Sequence, residues 1–276
     1  MKRRIIKFLV CWAFIHLSAT AQVTDYYSLE NVQTPKLLMD RYGKNGSQTD
    51  GLDFMPDGRL VACFVGGEVF TLHPKTGKWK LFADGLHTPL GVVALNNREV
   101  MASQRPELTL LKDLDGDGVA DEYKSFCDDF GISGNYHEFH FGPVRDKAGN
   151  FYVSLGTASS GADVRHEKRG FFDKRSYLQR MYSSVPYRGW VLQVTPEGRL
   201  VPWASGLRTP NGLGFDLEGN LFVTDNQGDW VGTSKLHHVE KGKFYGHAGS
   251  LLWENDWKEG RPVDLPLAKL DARRQT

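Results

Sequence analysis

Short stretches in which apolar and polar residues alternate with period two recur along the chain, and turn residues punctuate them. Three segments share one pattern: an apolar, Phe-containing opening, a polar turn ending in Gly, then an apolar strand. They are Gly51-Leu52-Asp53-Phe54 with Asp57-Gly58-Arg59-Leu60-Val61, Phe139-His140-Phe141-Gly142 with Ala148-Gly149-Asn150-Phe151-Tyr152-Val153, and Gly212-Leu213-Gly214-Phe215 with Glu218-Gly219-Asn220-Leu221-Phe222-Val223. A degraded copy runs from Gly91-Val92-Val93-Ala94 to Asn97-Arg98-Glu99-Val100. Each predicts a β-hairpin, because a tight turn needs a positive φ that Gly accepts and the flanks alternate between two faces. Pro74-Lys75-Thr76-Gly77 and Pro196-Glu197-Gly198-Arg199 predict further hairpins that add outer strands. No apolar stretch of helical period and useful length competes with this reading.

The repeats organise the whole chain. Gly85-Leu86-His87-Thr88-Pro89-Leu90-Gly91 resembles Gly206-Leu207-Arg208-Thr209-Pro210-Asn211-Gly212 almost position for position. Equivalent strands begin at Leu60, Glu99, Phe151 and Leu221. Repeated four-strand units predict an all-β fold, a β-propeller with about four blades. The polar ending Leu270 to Thr276 carries no closing strand. Either four blades close a ring with large loops, or the ring is incomplete at the C-terminus; incompleteness is the expectation. The terminal blades would then expose Leu60-Val61-Ala62 and Leu221-Phe222-Val223 and drive self-association.

Composition narrows the class without changing the fold. Lys+Arg 34 against Asp+Glu 33 gives a formal charge of +1, so no basic field points to nucleic acid. Residues 1–21 read as a cleaved secretory signal: Lys2, Arg3, Arg4 and Lys7, an apolar run from Phe8 to Leu17, then Ala19-Thr20-Ala21. The propeller domain is expected over 22–276 of a periplasmic or secreted protein. Cys63 and Cys127 remain after cleavage and read as two buried thiols rather than a disulfide.

Three places carry candidate chemistry. Asp113-Leu114-Asp115-Gly116-Asp117-Gly118 places carboxylates at alternate positions, with Asp121 and Glu122 following. Such spacing converges oxygens on a hard cation, and calcium is expected there, held in a β-hairpin loop rather than an EF-hand. Asn135-Tyr136-His137-Glu138-Phe139-His140 leads into the third hairpin, and His137 is the candidate general base because imidazole titrates near neutral pH. Arg208-Thr209-Pro210-Asn211 leads into the fourth, where an arginine could hold a carboxylate or quinone oxygen bidentately. The Arg/Tyr-rich stretch from Lys168 to Arg188, with Gly161 to Val164 before it, reads as a lid or surface insertion. No G-x-S-x-G elbow, phosphate-cradling glycine motif or C-x-x-C-H haem motif occurs.

Three motifs in order carry a family likeness: Gly206 to Leu213, Phe222-Val223-Thr224-Asp225-Asn226-Gln227-Gly228, and Val239 to His247 through Phe244-Tyr245-Gly246. They resemble the soluble PQQ-dependent glucose/sorbosone dehydrogenase-type propellers over roughly residues 50–250. Within that family the chain resembles an exported bacterial branch often fused to a cytochrome c domain. The resemblance implies a six-bladed ring, a pyrroloquinoline quinone (PQQ) at the channel mouth and bound calcium. It implies that Arg208, with Asn211 beside it, contacts the quinone and that His137 is the base. The family's acidic turn becomes Asp225 to Gly228 here, and its Asn-Tyr-Gly-Trp becomes Phe244 to His247. The first expectation is therefore an exported sugar or alcohol dehydrogenase that passes hydride to a quinone, with a cytochrome c as possible acceptor. The alternative is a non-enzymatic propeller that binds glycan or protein. A lactonase-like calcium enzyme is the weakest of the three.

Overall fold

Turn glycines and alternating strands build antiparallel sheets in sequence order. The computed structural model describes residues 28–44, 48–161, 169–170, 173, 175, 180–229 and 232–274. The predicted signal segment lies outside the described residues. The first sheet contains β1 (Thr49–Phe54), β2 (Leu60–Phe64), β3 (Val69–His73) and β4 (Lys78–Ala83) in that order. The second contains β5 (Gly91–Ala94), β6 (Glu99–Gln104), β7 (Glu107–Lys112) and β8 (Glu122–Cys127). In the third, β9 (His140–Arg145) and β10 (Phe151–Leu155) pair in turn with β13 (Trp190–Val194) and β14 (Leu200–Ala204). A two-stranded ribbon, β11 (Ala158–Ser159) and β12 (Met181–Tyr182), interrupts this sheet's connection. The fourth has β15 (Pro210–Phe215), β16 (Leu221–Asp225) and β17 (Lys235–His238). Four small sheets set around a ring are the blades of a β-propeller. The repeat positions Leu60, Glu99, Phe151 and Leu221 each open the second strand of a blade.

Apolar layers between successive sheets hold the blades together. Val61, Cys63, Phe82, Val100 and Leu111 fill the first interface, and Met101, Leu108, Val153, Leu155 and Leu192 the second. Tyr152, Val191, Leu221, Val223 and Val239 fill the third. Near the centre the innermost strands approach backbone to backbone. A Cβ on Gly51 of β1 would lie 2.4 Å from the Gly91 Cα, and one on Gly91 of β5 would lie 1.5 Å from the Gly142 oxygen of β9. Side chains of the second strands tie this core across blades: Ser103 Oγ donates to Gly142 O at 2.5 Å and Ser154 Oγ to Pro210 O at 2.8 Å. The principal interblade contacts join β1 to β5, β5 to β9 and β9 to β15, with none comparable between β15 and β1 among the described residues.

The edges differ from the sequence expectation. Val61, Ala62 and Val223 are fully buried and Leu221 nearly so. Helix α1 (Lys36–Tyr42) covers the first sheet, packing Leu38 against Ala62, Phe64 and Phe70. Its Arg41 and Tyr42 bind the buried Glu68 at 2.7 and 2.8 Å. Exposure falls instead on the innermost strand, at Leu52 (58%) and Phe54 (67%), and on Leu236 (67%) of the last blade. The predicted surface insertion is also corrected in part. Its end turns inward, and Met181, Tyr182, Ser183, Ser184, Val185 and Arg188 are buried. The polar C-terminal stretch forms helix α2 (Leu267–Arg273), whose Leu270 packs with Phe244, Ala248 and Leu251. Cys63 and Cys127 are free and buried.

Candidate functional site

The loops entering β9 and β15 are brought together through one threonine. Thr157 directs both its N–H and its hydroxyl to Arg208 O, each at 2.9 Å. Its own carbonyl accepts from His137 Nδ1 at 3.0 Å. That bond fixes the tautomer: Nδ1 carries the proton, and in the neutral ring Nε2 is the basic nitrogen. The half-buried ring lies between Tyr136 and Phe139, and Asn135 Oδ1 accepts the His137 N–H at 3.1 Å. Burial, with the nearby positive charges of Arg208 and Arg105, lowers the imidazole pKa against the raising effect of Thr157 O. These surroundings favour the neutral ring.

Arg208 is held by its backbone, not by its guanidinium. The buried Asp225 carboxylate accepts the N–H groups of Arg208 (3.2 Å) and Thr209 (2.8 Å) and faces Lys235 at 3.6 Å. Desolvation still raises the Asp225 pKa. The Arg208 side chain is buried, and its Nε has no hydrogen-bond partner among the described residues. Burial, then the charge of Arg180, lowers its pKa. Gly228 lies against both Arg208 and His247, with its would-be Cβ 3.6 and 3.5 Å from their side chains. The His247 ring is buried, which pushes its pKa down to about 3. Arg208, the Asp225–Gly228 turn and His247, drawn from three separate sequence motifs, thus occupy one place.

The remaining candidates have surroundings of their own. Asn211 is exposed on β15, opposite Thr224. Glu138 turns its carboxylate to Ser133 N and Oγ, both at 2.7 Å. His140 is buried, with Nδ1 2.7 Å from Gln104 O and its ring edge-on to Phe130. His237 packs on Tyr245 and His238 stacks on Phe222. His166 lies outside the described residues.

In the β7–β8 loop, one carboxylate oxygen from each of Asp113, Asp115 and Asp117 lies within 4.8 Å of the others. Asp113 accepts the N–H groups of Gly116 and Gly118, Asp115 that of Asp117, and Asp117 that of Val119. Asp121 and Glu122 do not join them. Asp121 accepts the Leu114 N–H at 2.8 Å, and Glu122 faces Lys112 at 3.4 Å.

Two arginines escaped the sequence reading. Arg105 follows β6 and reaches the Asn135 and Tyr136 carbonyls. Arg188 is fully buried and donates to Gly131 O, Glu138 O and Phe139 O at 2.8, 3.1 and 3.2 Å. Nothing in the Arg/Tyr-rich stretch distinguishes Arg188 from its neighbours, because its burial comes from long-range packing.

A propeller with polar loops gathered at the entrances to its inner strands is the class that fold and site define. The chain belongs to the family described as a domain of unknown function (DUF7133), which matches residues 75–250. No curated protein matches the sequence. Its fold is similar to a PQQ-bound aldose sugar dehydrogenase from Streptomyces coelicolor, at 17% identity and a TM-score of 0.52, over 72% of this chain and 61% of that one. A putative oxidoreductase (glucose dehydrogenase) from Thermus thermophilus shares 21% identity with a TM-score of 0.52, over 72% and 64%. The PQQ domain of a pyranose dehydrogenase from Coprinopsis cinerea, in its holo form, shares 13% with a TM-score of 0.53, over 82% and 63%. This chain therefore spans less than two thirds of the length of each relative. At these identities the likeness establishes the propeller fold.

Proposed function

We propose that this chain is an exported, PQQ-type oxidoreductase propeller acting on a small sugar or alcohol. One observation carries the reading: a buried arginine with an unbonded Nε stands one threonine away from a histidine whose Nδ1 is held by a carbonyl. An orphaned buried guanidinium nitrogen fits an oxyanionic partner such as a quinone oxygen. A bound pyrroloquinoline quinone would supply the two-electron acceptor for hydride. Arg208 would hold the oxygen that gains negative charge, and His137 Nε2 would take the proton of the substrate hydroxyl. Asn211, exposed at the start of β15, would border the cofactor. Asp113, Asp115 and Asp117 would hold calcium. Their spacing suits oxygen ligands around one cation, and Asp115 and Asp117 each keep an oxygen outside these backbone bonds. A cytochrome c would accept the electrons.

The test is an absorption titration with quinone and calcium, followed by dye reduction on a panel of aldoses and alcohols. A spectral change and turnover that Arg208→Ala and His137→Gln each abolish are expected. An unchanged spectrum with no dye reduction would reject the proposal. The exposed Leu52, Phe54 and Leu236 favour a second reading, a non-enzymatic propeller that binds a glycan or protein. Glycan-array binding without redox activity would support it.

A further inference from the structure

The loop that carries His137 also presents Tyr136 to a large cavity. Thr88 and Arg105, which flank strands of the second blade, and Asn135 and Tyr136, which lead into the third, contribute to its wall. The cavity measures about 570 Å³, within the range of sites that enclose a whole small ligand. A single hexose would leave part of it to water. The Tyr136 ring lines this space and meets the His137 ring edge to face, with centroids 5.7 Å apart. The cavity is thus one aromatic ring away from the imidazole proposed as base.

Tyr136 is 48% exposed, yet its backbone is locked. Arg105 donates to the carbonyls of Asn135, at 3.0 Å, and of Tyr136. The buried Asn135 side chain accepts the His137 N–H at 3.1 Å and exchanges bonds of 2.9 and 3.1 Å with the Ser159 backbone. An aromatic ring on a fixed loop stacks on a ligand at little cost in conformational entropy. Its apolar face suits the C–H face of a sugar ring, and the polar wall around it suits the hydroxyls at that ring's rim. Thr88 gives a second sign. It adopts a φ of 50°, which a β-branched residue rarely does. Its counterpart in the repeat, Thr209, has no positive φ, so the Gly-Leu-x-Thr-Pro motif does not require one. Strain of this kind collects at ligand sites, and here it falls in the cavity wall.

We propose that the cavity holds the second ring of a disaccharide, stacked on Tyr136, while the reducing ring reaches His137. The reacting end rests on the redox reading; the cavity's preference for a second ring does not. A ligand-observed NMR titration of the whole chain without quinone tests it, with maltose, cellobiose and glucose as probes. At least one disaccharide is expected to bind about tenfold more tightly than glucose, as a desolvated aromatic contact supports. Glucose binding as tightly as both disaccharides, or no binding of any of the three, would overturn the proposal. Tyr136→Ala, checked by thermal melting, is expected to lower the ratio of disaccharide to glucose affinity about tenfold, and Tyr136→Phe to retain most of it. An equal loss for both sugars would mean that the ring only supports the loop, and would overturn the assignment. Should the alanine variant not fold, the wild-type comparison still decides. Dye reduction by the quinone-loaded protein separates this inference from the redox reading. Turnover of glucose with no disaccharide preference in binding would overturn the cavity assignment and leave the redox reading standing. A disaccharide preference in binding with no turnover of any sugar would support the cavity assignment and reject the redox reading.

Discussion

His140 links the stability of the propeller centre to pH. The residue opens β9, is fully buried, and has its pKa pushed down to about 3 by desolvation and by the charges of Arg188 and Arg169. In the unfolded chain an imidazole titrates near 6.5. Between those values the unfolded state binds the extra proton, so acid favours unfolding. The contribution is full above about pH 6.5 and is lost as pH falls toward about 3. At pH 5 the loss from this one residue is about 2 kcal/mol, from 1.36 kcal/mol per pH unit over about 1.5 units. That corresponds to a fall of about 1 M in the urea midpoint. His140→Asn keeps an N–H for Gln104 O and removes the titration. Burial lowers the pKa values of His247 and His237 as well, while it raises those of Asp225 and Glu254, which respond to acid in the opposite sense. The informative quantity is therefore the difference between wild type and variant in stability lost from pH 7.5 to pH 5. Urea unfolding at the two pH values should show the variant losing about 2 kcal/mol less. Equal losses in both proteins would refute the reasoning.

Three further outcomes follow from the packing. Gly91→Ala should cost about 3 kcal/mol or more, or prevent folding, because its Cβ would meet backbone rather than a movable side chain; a near-native melting temperature would contradict the close approach of β1, β5 and β9. Neither thiol should react with a disulfide reagent in the native protein, since Cys63 is buried with its pKa pushed up to about 12 and Cys127 is buried as well, and both should react after denaturation. Self-association through the exposed inner strand should appear as concentration-dependent light scattering that Leu52→Thr with Phe54→Thr reduces, and a monodisperse wild-type monomer would count against it.

Much of the architecture was legible because it is local. A hairpin needs only alternation and a turn residue, and both lie within about ten consecutive positions. Leu60, Glu99, Phe151 and Leu221 accordingly open equivalent strands, and the acidic segment falls in the β7–β8 hairpin as its spacing requires. The loops that carry His137 and Arg208 were legible as the entrances to the third and fourth hairpins, and only the family resemblance linked the two residues. The bond that orients the histidine was not inferred, because Thr157 meets both residues only after the third and fourth blades pack.

What tertiary structure alone decided is which of several similar residues are buried and what faces them. Glu138 and His140 flank His137 in sequence, yet one carboxylate folds back onto Ser133 and the other ring enters the core. Arg188 sits in a stretch that reads as surface but lies at zero exposure, bonded to the carbonyls of Gly131, Glu138 and Phe139. Val61 and Ala62 are hidden by the facing sheet and by α1, so the exposed apolar edge moves to Leu52 and Phe54. Period and turn chemistry act over a few residues and can be read in order along the chain. Burial and charge pairing depend on elements far apart in sequence, and they exist only once the blades have come together.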